Sequence, residues 1–437
     1  MIASITFILV FILAVLLFTK AVRRISQNIK LGKDVEIKDN KRERWKMMFL
    51  VAIGQSKMTT RPVPALMHIL VYVGFIIVNI EMLEILIDGI FGTHRLFSFF
   101  GELYSILISV FEVFAISVMF GCVVFLIRRN ILRLKRFWSK EMKLWPRSDA
   151  NIILITELFL MSSIFIMNAS DSILQMRPGL HYVSTEPFLI SSLIQPWFEG
   201  LSDGTLIFIE RFCWWFHIVG VLAFLNYIPH SKHFHVFLAF PNVFYSKLRP
   251  RGVMTNMPAI TKEVKLMLDE NFAEPAEDEA EEISFGAKRI KDLSWKNLMD
   301  AYTCTECGRC TSVCPANITG KDLSPRKIMM DVRDRLEEIG KVINKLPAEK
   351  RKEYDDDKSL FDYIIPEELW ACTTCNACTM ECPVNIDQVA IILEMRRHLV
   401  MEESSAPAPL NNMFSNIENN GAPWQYSPDD RLLWTNE

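Results

Sequence analysis

Residues 304–315 read Cys304-Thr305-Glu306-Cys307-Gly308-Arg309-Cys310-Thr311-Ser312-Val313-Cys314-Pro315. Residues 372–383 repeat that spacing at Cys372, Cys375, Cys378, Cys382 and Pro383. The pattern is C-x2-C-x2-C-x3-C-P twice, and it uses eight of the chain's ten cysteines. A cubane iron–sulfur cluster needs four thiolates converging on four irons. Three closely spaced cysteines on a tight loop can wrap three corners, and the fourth ligand must come from elsewhere. Zinc favours paired C-x2-C with four ligands per ion, and does not call for this longer run twice. The spacing therefore predicts two [4Fe–4S] clusters.

In two-cluster ferredoxins the fourth cysteine of each run crosses to the other cluster. Cluster one is then expected on Cys304, Cys307, Cys310 and Cys382, and cluster two on Cys372, Cys375, Cys378 and Cys314. The 57 residues between the runs carry a helix signal. Ser324 is an N-cap followed by Pro325 at the first helical position. Ile328, Val332, Leu336 and Ile339 then share one face, and Gly340 is expected to stop the helix. A second helix is expected over about Asp387–Met401. No stretch alternates as a strand would, so the fold class is all-α.

Beyond these motifs, the 437 residues are 50% hydrophobic yet 23% charged, which suits a chain split into an apolar and a polar part. Thirty Phe and ten Trp disfavour disorder, and a net charge of −3 disfavours nucleic-acid binding driven by bulk charge. The runs 2–19, 63–87, 103–127, 151–168 and 206–228 each reach or approach the roughly 20 residues that cross a bilayer core. Five transmembrane helices are expected. The first lacks a basic n-region and a small-residue cleavage site, so it reads as a retained helix rather than a signal peptide. Twelve Lys/Arg fall in 20–61 and eight in 128–147, against one each in 88–102 and 171–205. The positive-inside rule puts the two basic loops in the cytoplasm, the N-terminus outside, and everything after Pro229 inside, in a multi-pass inner-membrane protein. That compartment is reducing, where clustered cysteines bind metal rather than pair. Cys122 and Cys213 fall within membrane helices, as small apolar fillers. The acidic stretch 269–282 reads as a solvated linker. The expected domains are 1–245 in the membrane, a linker 246–290, the ferredoxin 291–403 and an extended docking arm 404–437.

Membrane histidines are costly and usually have a partner or cofactor. His68 lies near the cytoplasmic start of the second apolar run, His217 inside the fifth, and His230, His233 and His235 after its end. Haem b needs neutral imidazoles from different helices. His217, Pro229, Ser231, Lys232 and His235 fit H-x11-P-x-S-[KR]-x2-H, which resembles the fifth helix of the cytochrome b (gamma) subunit of respiratory nitrate reductase. The resemblance implies a five-helix transmembrane cytochrome b bundle, with one haem b on His68 and His235. The family's outer histidine on helix two falls at Val78 here, so a second haem on His217 would be five-coordinate, use His94, or be absent. His230 and His233 read as interfacial side chains, and His181 and His398 as solvated ones.

The spacer length and helix signal resemble α-helical two-cluster ferredoxin domains. Phe285-Gly286-Ala287-Lys288, Trp295 and Leu323-Ser324-Pro325-Arg326-Lys327 are similar to heterodisulfide reductase-related membrane iron–sulfur proteins. Many of those carry a cysteine-rich module with CCG motifs, and none occurs in these 437 residues. The resemblance thus implies a separate cytoplasmic CCG-type partner subunit. It also implies an electron-transfer subunit, working between quinone (menaquinone) in the lipid and that partner. Glu81, Glu84, Asp88, Glu112, Glu157, Asp171 and Glu210 are candidates for proton handling, or for pairing with Arg95 and Arg211. The alternative is a membrane anchor that relays electrons without touching quinone.

Overall fold

The computed structural model describes residues 1–178, 182, 183, 185, 188–269, 272 and 285–436. Five helices are long and apolar enough to cross a membrane: α1 (Ile2–Ile29), α2 (Pro62–Phe91), α3 (Glu102–Ile131), α4 (Trp145–Met176) and α5 (Asp203–His230). Each packs on the next, and α1 closes the ring by packing on both α5 and α2. Pro62 starts α2 where no N–H is needed, and left-handed Gly92 (φ 71°) ends it. Ser202 caps α5 by accepting from Thr205 N–H at 3.3 Å. Outward faces stay apolar: Phe208, Phe212 and Phe216 form an exposed ladder on α5 with ring centroids 6.0 Å apart. Such a strip would be a liability in water and is normal against lipid. Cys122 and Cys213 are buried as fillers.

The rest is also helical. Among the described residues no strand forms; one isolated bridge pairs Lys33 with Ser294. After α5 come α6 (His235–Phe244), α7 (Trp295–Thr303), α8 (Pro325–Ile343) and α9 (Gln388–Met401). Ser324 caps α8, and Asp387 caps α9 by accepting from Ala390 N–H at 3.1 Å. Ile328, Val332, Leu336 and Ile339 are buried on one face of α8, as their spacing predicts.

Two expectations are corrected. Gly340 does not stop α8, which runs on to Ile343. The glycine instead admits α1: a Cβ there would lie 2.3 Å from Asn28 Oδ1. Asn28 is fully buried and donates to Tyr302 Oη at 2.8 Å. Residues 404–437 are not simply extended, since α10 (Ala408–Asn420) forms there, with no buried residue. The linker contains a helix over Pro258–Leu268, and most of its acidic stretch lies outside the described residues.

The Gly340 contact makes a prediction. Gly340→Val should lower the thermal unfolding midpoint of the intact chain, because overpacking of about 1–3 kcal/mol outweighs any gain in helix propensity. A midpoint unchanged in calorimetry would mean that α1 and α8 are not held at this point.

Candidate iron–sulfur and haem sites

Both cysteine runs fold alike. The second residue after the first cysteine, Glu306 or Thr374, is left-handed (φ 53° and 52°), and so is the residue after the second, Gly308 or Asn376 (φ 68° and 59°). Two such turns curl the loop tightly, at a backbone cost that a bound group would offset. A short helix follows each loop, Arg309–Val313 and Ala377–Glu381, and carries the third cysteine in its first turn. These two helices pack on each other.

That packing sorts the cysteines. Cys310 lies within electrostatic reach of Cys307, Cys304 and Cys382, and also of Cys378. Cys314, Cys372, Cys375 and Cys378 line one cavity with Pro315, Leu323 and Val389. Burial pushes the Cys304 thiol up to about 12 and the Cys382 thiol up to about 11. These thiols are neutral until a metal displaces their protons. Thr374 N–H donates to Cys372 Sγ at 3.4 Å, and Ile386 N–H to Cys382 Sγ at 3.3 Å, contacts of the kind that tune cluster potentials.

At the basic-loop end of the bundle, His68, His233 and His235 gather within electrostatic reach of one another. His235 Nδ1 lies 3.0 Å from Lys232 O, so Nδ1–H donates to that carbonyl and Nε2 keeps a free lone pair. His68 Nδ1 is buried without a partner. Burial holds His235 below the ordinary histidine range. It pushes His233 down to about 3, helped by the neighbouring His235 and His68. Neutral imidazole is the ligating form, so the residues fit a metal-centred group. His233 is not a head-group side chain: its ring tilts against Phe224 at 5.5 Å and stands edge-on to His235 at 5.6 Å. His230 Nδ1 accepts from Arg24 Nη2 at 3.2 Å. His398 is buried rather than solvated, with Nε2 3.2 Å from Glu403, and His181 lies outside the described residues.

His217 is buried at mid-helix. Its Nδ1 is 3.0 Å from Leu160 O, and Nε2 is 3.2 Å from the Met82 sulfur on α2. His94 is not brought to it; it pairs instead with Asp171 at 3.5 Å. Met82 is an addition to the expected residues, since a methionine in an apolar run carries no signal of its own. Most of the carboxylates are structural. Asp171 pairs with Arg95 at 2.5 Å, Glu84 accepts from Tyr104 Oη at 2.9 Å, and Glu210 pairs with Arg211. Glu112 accepts from Asn168 at 3.1 Å and from Ile190 N–H at 2.7 Å, while Asp88 accepts from Arg95 N–H at 2.8 Å. Glu81 and Glu157 have no hydrogen-bond or ion-pair partner among the described residues.

Residues 303–386 match the 4Fe-4S dicluster domain. Over the whole length, the chain is similar to the probable iron-sulfur-binding oxidoreductase FadF of Bacillus subtilis: 29% identical over 99% of this chain and 61% of that protein. The EtfAB:quinone oxidoreductase of Syntrophomonas wolfei is 26% identical over 89% of this chain and 53% of its own. One component of the dihydromethanophenazine:CoB–CoM heterodisulfide reductase of Methanosarcina mazei is 28% identical over 33% of this chain and 35% of its own. The chain thus spans between half and two thirds of the length of the Bacillus and Syntrophomonas proteins. No solved structure matches it significantly. The chain thus joins a match to a 4Fe-4S dicluster domain with five helices apolar enough to cross a membrane, and its relatives include iron–sulfur oxidoreductases.

Proposed function

We propose that this chain passes electrons between a quinone in the lipid and a cytoplasmic redox partner. It would do so through haem b on His68 and His235 and through two [4Fe–4S] clusters with crossed ligands: Cys304, Cys307, Cys310 and Cys382, then Cys372, Cys375, Cys378 and Cys314. The metal groups supply one-electron chemistry, and the protein positions them. The observation that carries this reading is the docking of the ferredoxin on the basic-loop end of the bundle, where His68 and His235 also lie. The topology rests on the basic loops: inner membrane, N-terminus outside, ferredoxin in the cytoplasm. The quinone assignment draws support from the name of the Syntrophomonas relative. The partner is a CCG-type module, as the resemblance to heterodisulfide reductase-related proteins implies, or an EtfAB-type protein, as the name of the Syntrophomonas relative suggests.

A cavity of about 600 Å³ suits the quinone. Val22, Ile25, Phe234 and Leu238 give it apolar walls, and Lys30 and Asp34 lie at its polar side. Glu81 and Glu157, without partners among the described residues, are the carboxylates we assign to proton movement. His217 faces Met82 where an outer haem would bind. Leu238→Trp should fill the cavity and slow haem reduction by menadiol more than tenfold, with the dithionite-reduced spectrum unchanged. Equal rates would place the quinone elsewhere. The whole reading is tested by His68→Ala and His235→Ala. Each should lose the bis-histidine haem spectrum and cut menadiol-driven cluster reduction more than a hundredfold. Haem that menadiol cannot reduce in the unaltered chain would leave only the relay-anchor role.

A further inference from the structure

The two cluster sites sit in unlike surroundings. The Cys314–Cys372–Cys375–Cys378 cavity is lined by ferredoxin residues alone, and Cys375 is exposed. The other group faces the membrane part. Lys57, five residues before α2, donates through Nζ to Cys382 O at 3.0 Å and Thr379 O at 3.4 Å. Arg309, beside Cys310, donates to Lys57 O at 3.1 Å. Arg61 pairs with Glu381 at 2.6 Å and donates to Ser312 Oγ at 3.0 Å. Arg251 donates to Thr379 O, and to Asn385 Oδ1 at 2.9 Å. Arg136, from the loop between α3 and α4, lies within electrostatic reach of Cys307. The acids of this face are neutralised: Glu306 by Lys232 and Arg333, Glu381 by Arg61. Around the second group, Arg396 stands near Cys372, and Asp387, paired with Lys247 at 3.1 Å and within reach of Arg251, stands near Cys378.

We infer that Lys57, Arg136 and Arg251 form a cationic collar which raises the reduction potential of the membrane-facing cluster, on Cys304, Cys307, Cys310 and Cys382, and that the exposed cluster is the port for the soluble partner. The inference rests on the two-cluster reading proposed above. Reduction adds one negative charge to a cluster. Burial opposes that addition, and the Cys304 group is the more buried one, so nearby cations are what keep it reducible. An electron crossing between the sites oxidises one cluster by one and reduces the other by one, with no bond change and no proton. These cations are positioning residues: Lys57 touches the Cys382 backbone, Arg251 that of Thr379, and Arg136 reaches Cys307 through its charge. The basic loops therefore do a second task beyond setting topology. His68 follows Lys57 by eleven positions on the same segment. Arg309, which donates to Lys57 O, also lies within electrostatic reach of His68, so the collar and the inner histidine share this face.

The test is a potentiometric titration of the full chain in detergent, followed by paramagnetic resonance. Lys57→Met with Arg251→Met should lower the reduced-to-oxidised ratio of one cluster about tenfold at fixed potential, or about 59 mV for a one-electron couple. The other cluster should not move. Lys57→Arg should restore most of the shift. Arg396→Met should move the other cluster alone. In the unaltered protein, the cluster that the collar variants shift should be the one whose relaxation is speeded by oxidised haem. Both clusters shifting together, neither shifting, or haem relaxing the Arg396-sensitive cluster would each overturn the inference. A preparation with no iron–sulfur signal at all would sink the two-cluster reading instead.

Discussion

Cys382→Ser is expected to remove the cluster served by the first cysteine run, although Cys382 belongs to the second. Cluster iron, total iron less haem iron, should fall from about eight to about four atoms per chain. The surviving resonance signal should be the one that Arg396→Met shifts, and Cys314→Ser should remove that signal instead. The reason is geometric. Each run curls on two left-handed residues, and its first three cysteines fall within seven positions. The chain then turns away at Pro315 or Pro383, so the fourth thiol cannot close the same cube. Packing of the two short helices brings Cys382 beside Cys310 and Cys307, and Cys314 beside Cys372 and Cys378. Serine is a poor ligand in place of thiolate, so the loss should be near complete rather than graded. If Cys382→Ser instead removed the signal that Cys375→Ser removes, each run would be serving its own cluster and the crossing would be wrong.

The parts of this molecule that are legible from sequence are those with a local signal. The five spans follow from uninterrupted apolar runs, and the cap at Ser324 from its neighbour Pro325. The helix ending at Met401 follows from Asp387 and the apolar spacing after it. The cysteines announce themselves by spacing. What sequence does not carry is contact between residues far apart in the chain. Arg326 stands out in sequence only as part of a resemblance. It is fully buried and donates to Arg136 O and Glu141 Oε1, both at 2.7 Å, so it pins the ferredoxin to the loop between α3 and α4. Gly340 misleads because a glycine near a helix end ordinarily stops it. Its true constraint, the Asn28 side chain, lies over three hundred residues away. Met82 and Lys57 belong to the same class: ordinary residues locally, informative only once the helices are packed.

Lys232→Met is expected to loosen the ferredoxin from the bundle at a cost of about 3 kcal/mol, the lower end of what removing one member of a buried ion pair costs. Lys232 is nearly buried and lies just after α5. It pairs with Glu306, inside the first cysteine loop, which Arg333 also holds at 2.7 Å. It donates as well to Pro146 O at the start of α4. Methionine keeps the apolar stem and removes the charge together with its hydrogen bonds to Glu306 and Pro146. Glu306 would retain Arg333, which is why the lower end applies, and Lys232→Arg should recover part of the loss. The carboxylate of Glu306 is held below the ordinary range despite burial, because Lys232 and Arg333 stand beside it. Its folded value is depressed, so its stabilisation is fully present above the unfolded value of about 4.3 and fades as pH falls through the folded one. The readouts are the unfolding midpoint of the intact chain and the rate of proteolysis between 246 and 290. Lys232→Met should lower the first and raise the second. With Glu306→Leu added, the loss should be smaller than the sum of the two single losses, since both changes break the same pair. A double variant as weak as the sum of its singles would show that the two side chains act apart, and that the contacts of Arg326 and Asn28 hold the domains together without them.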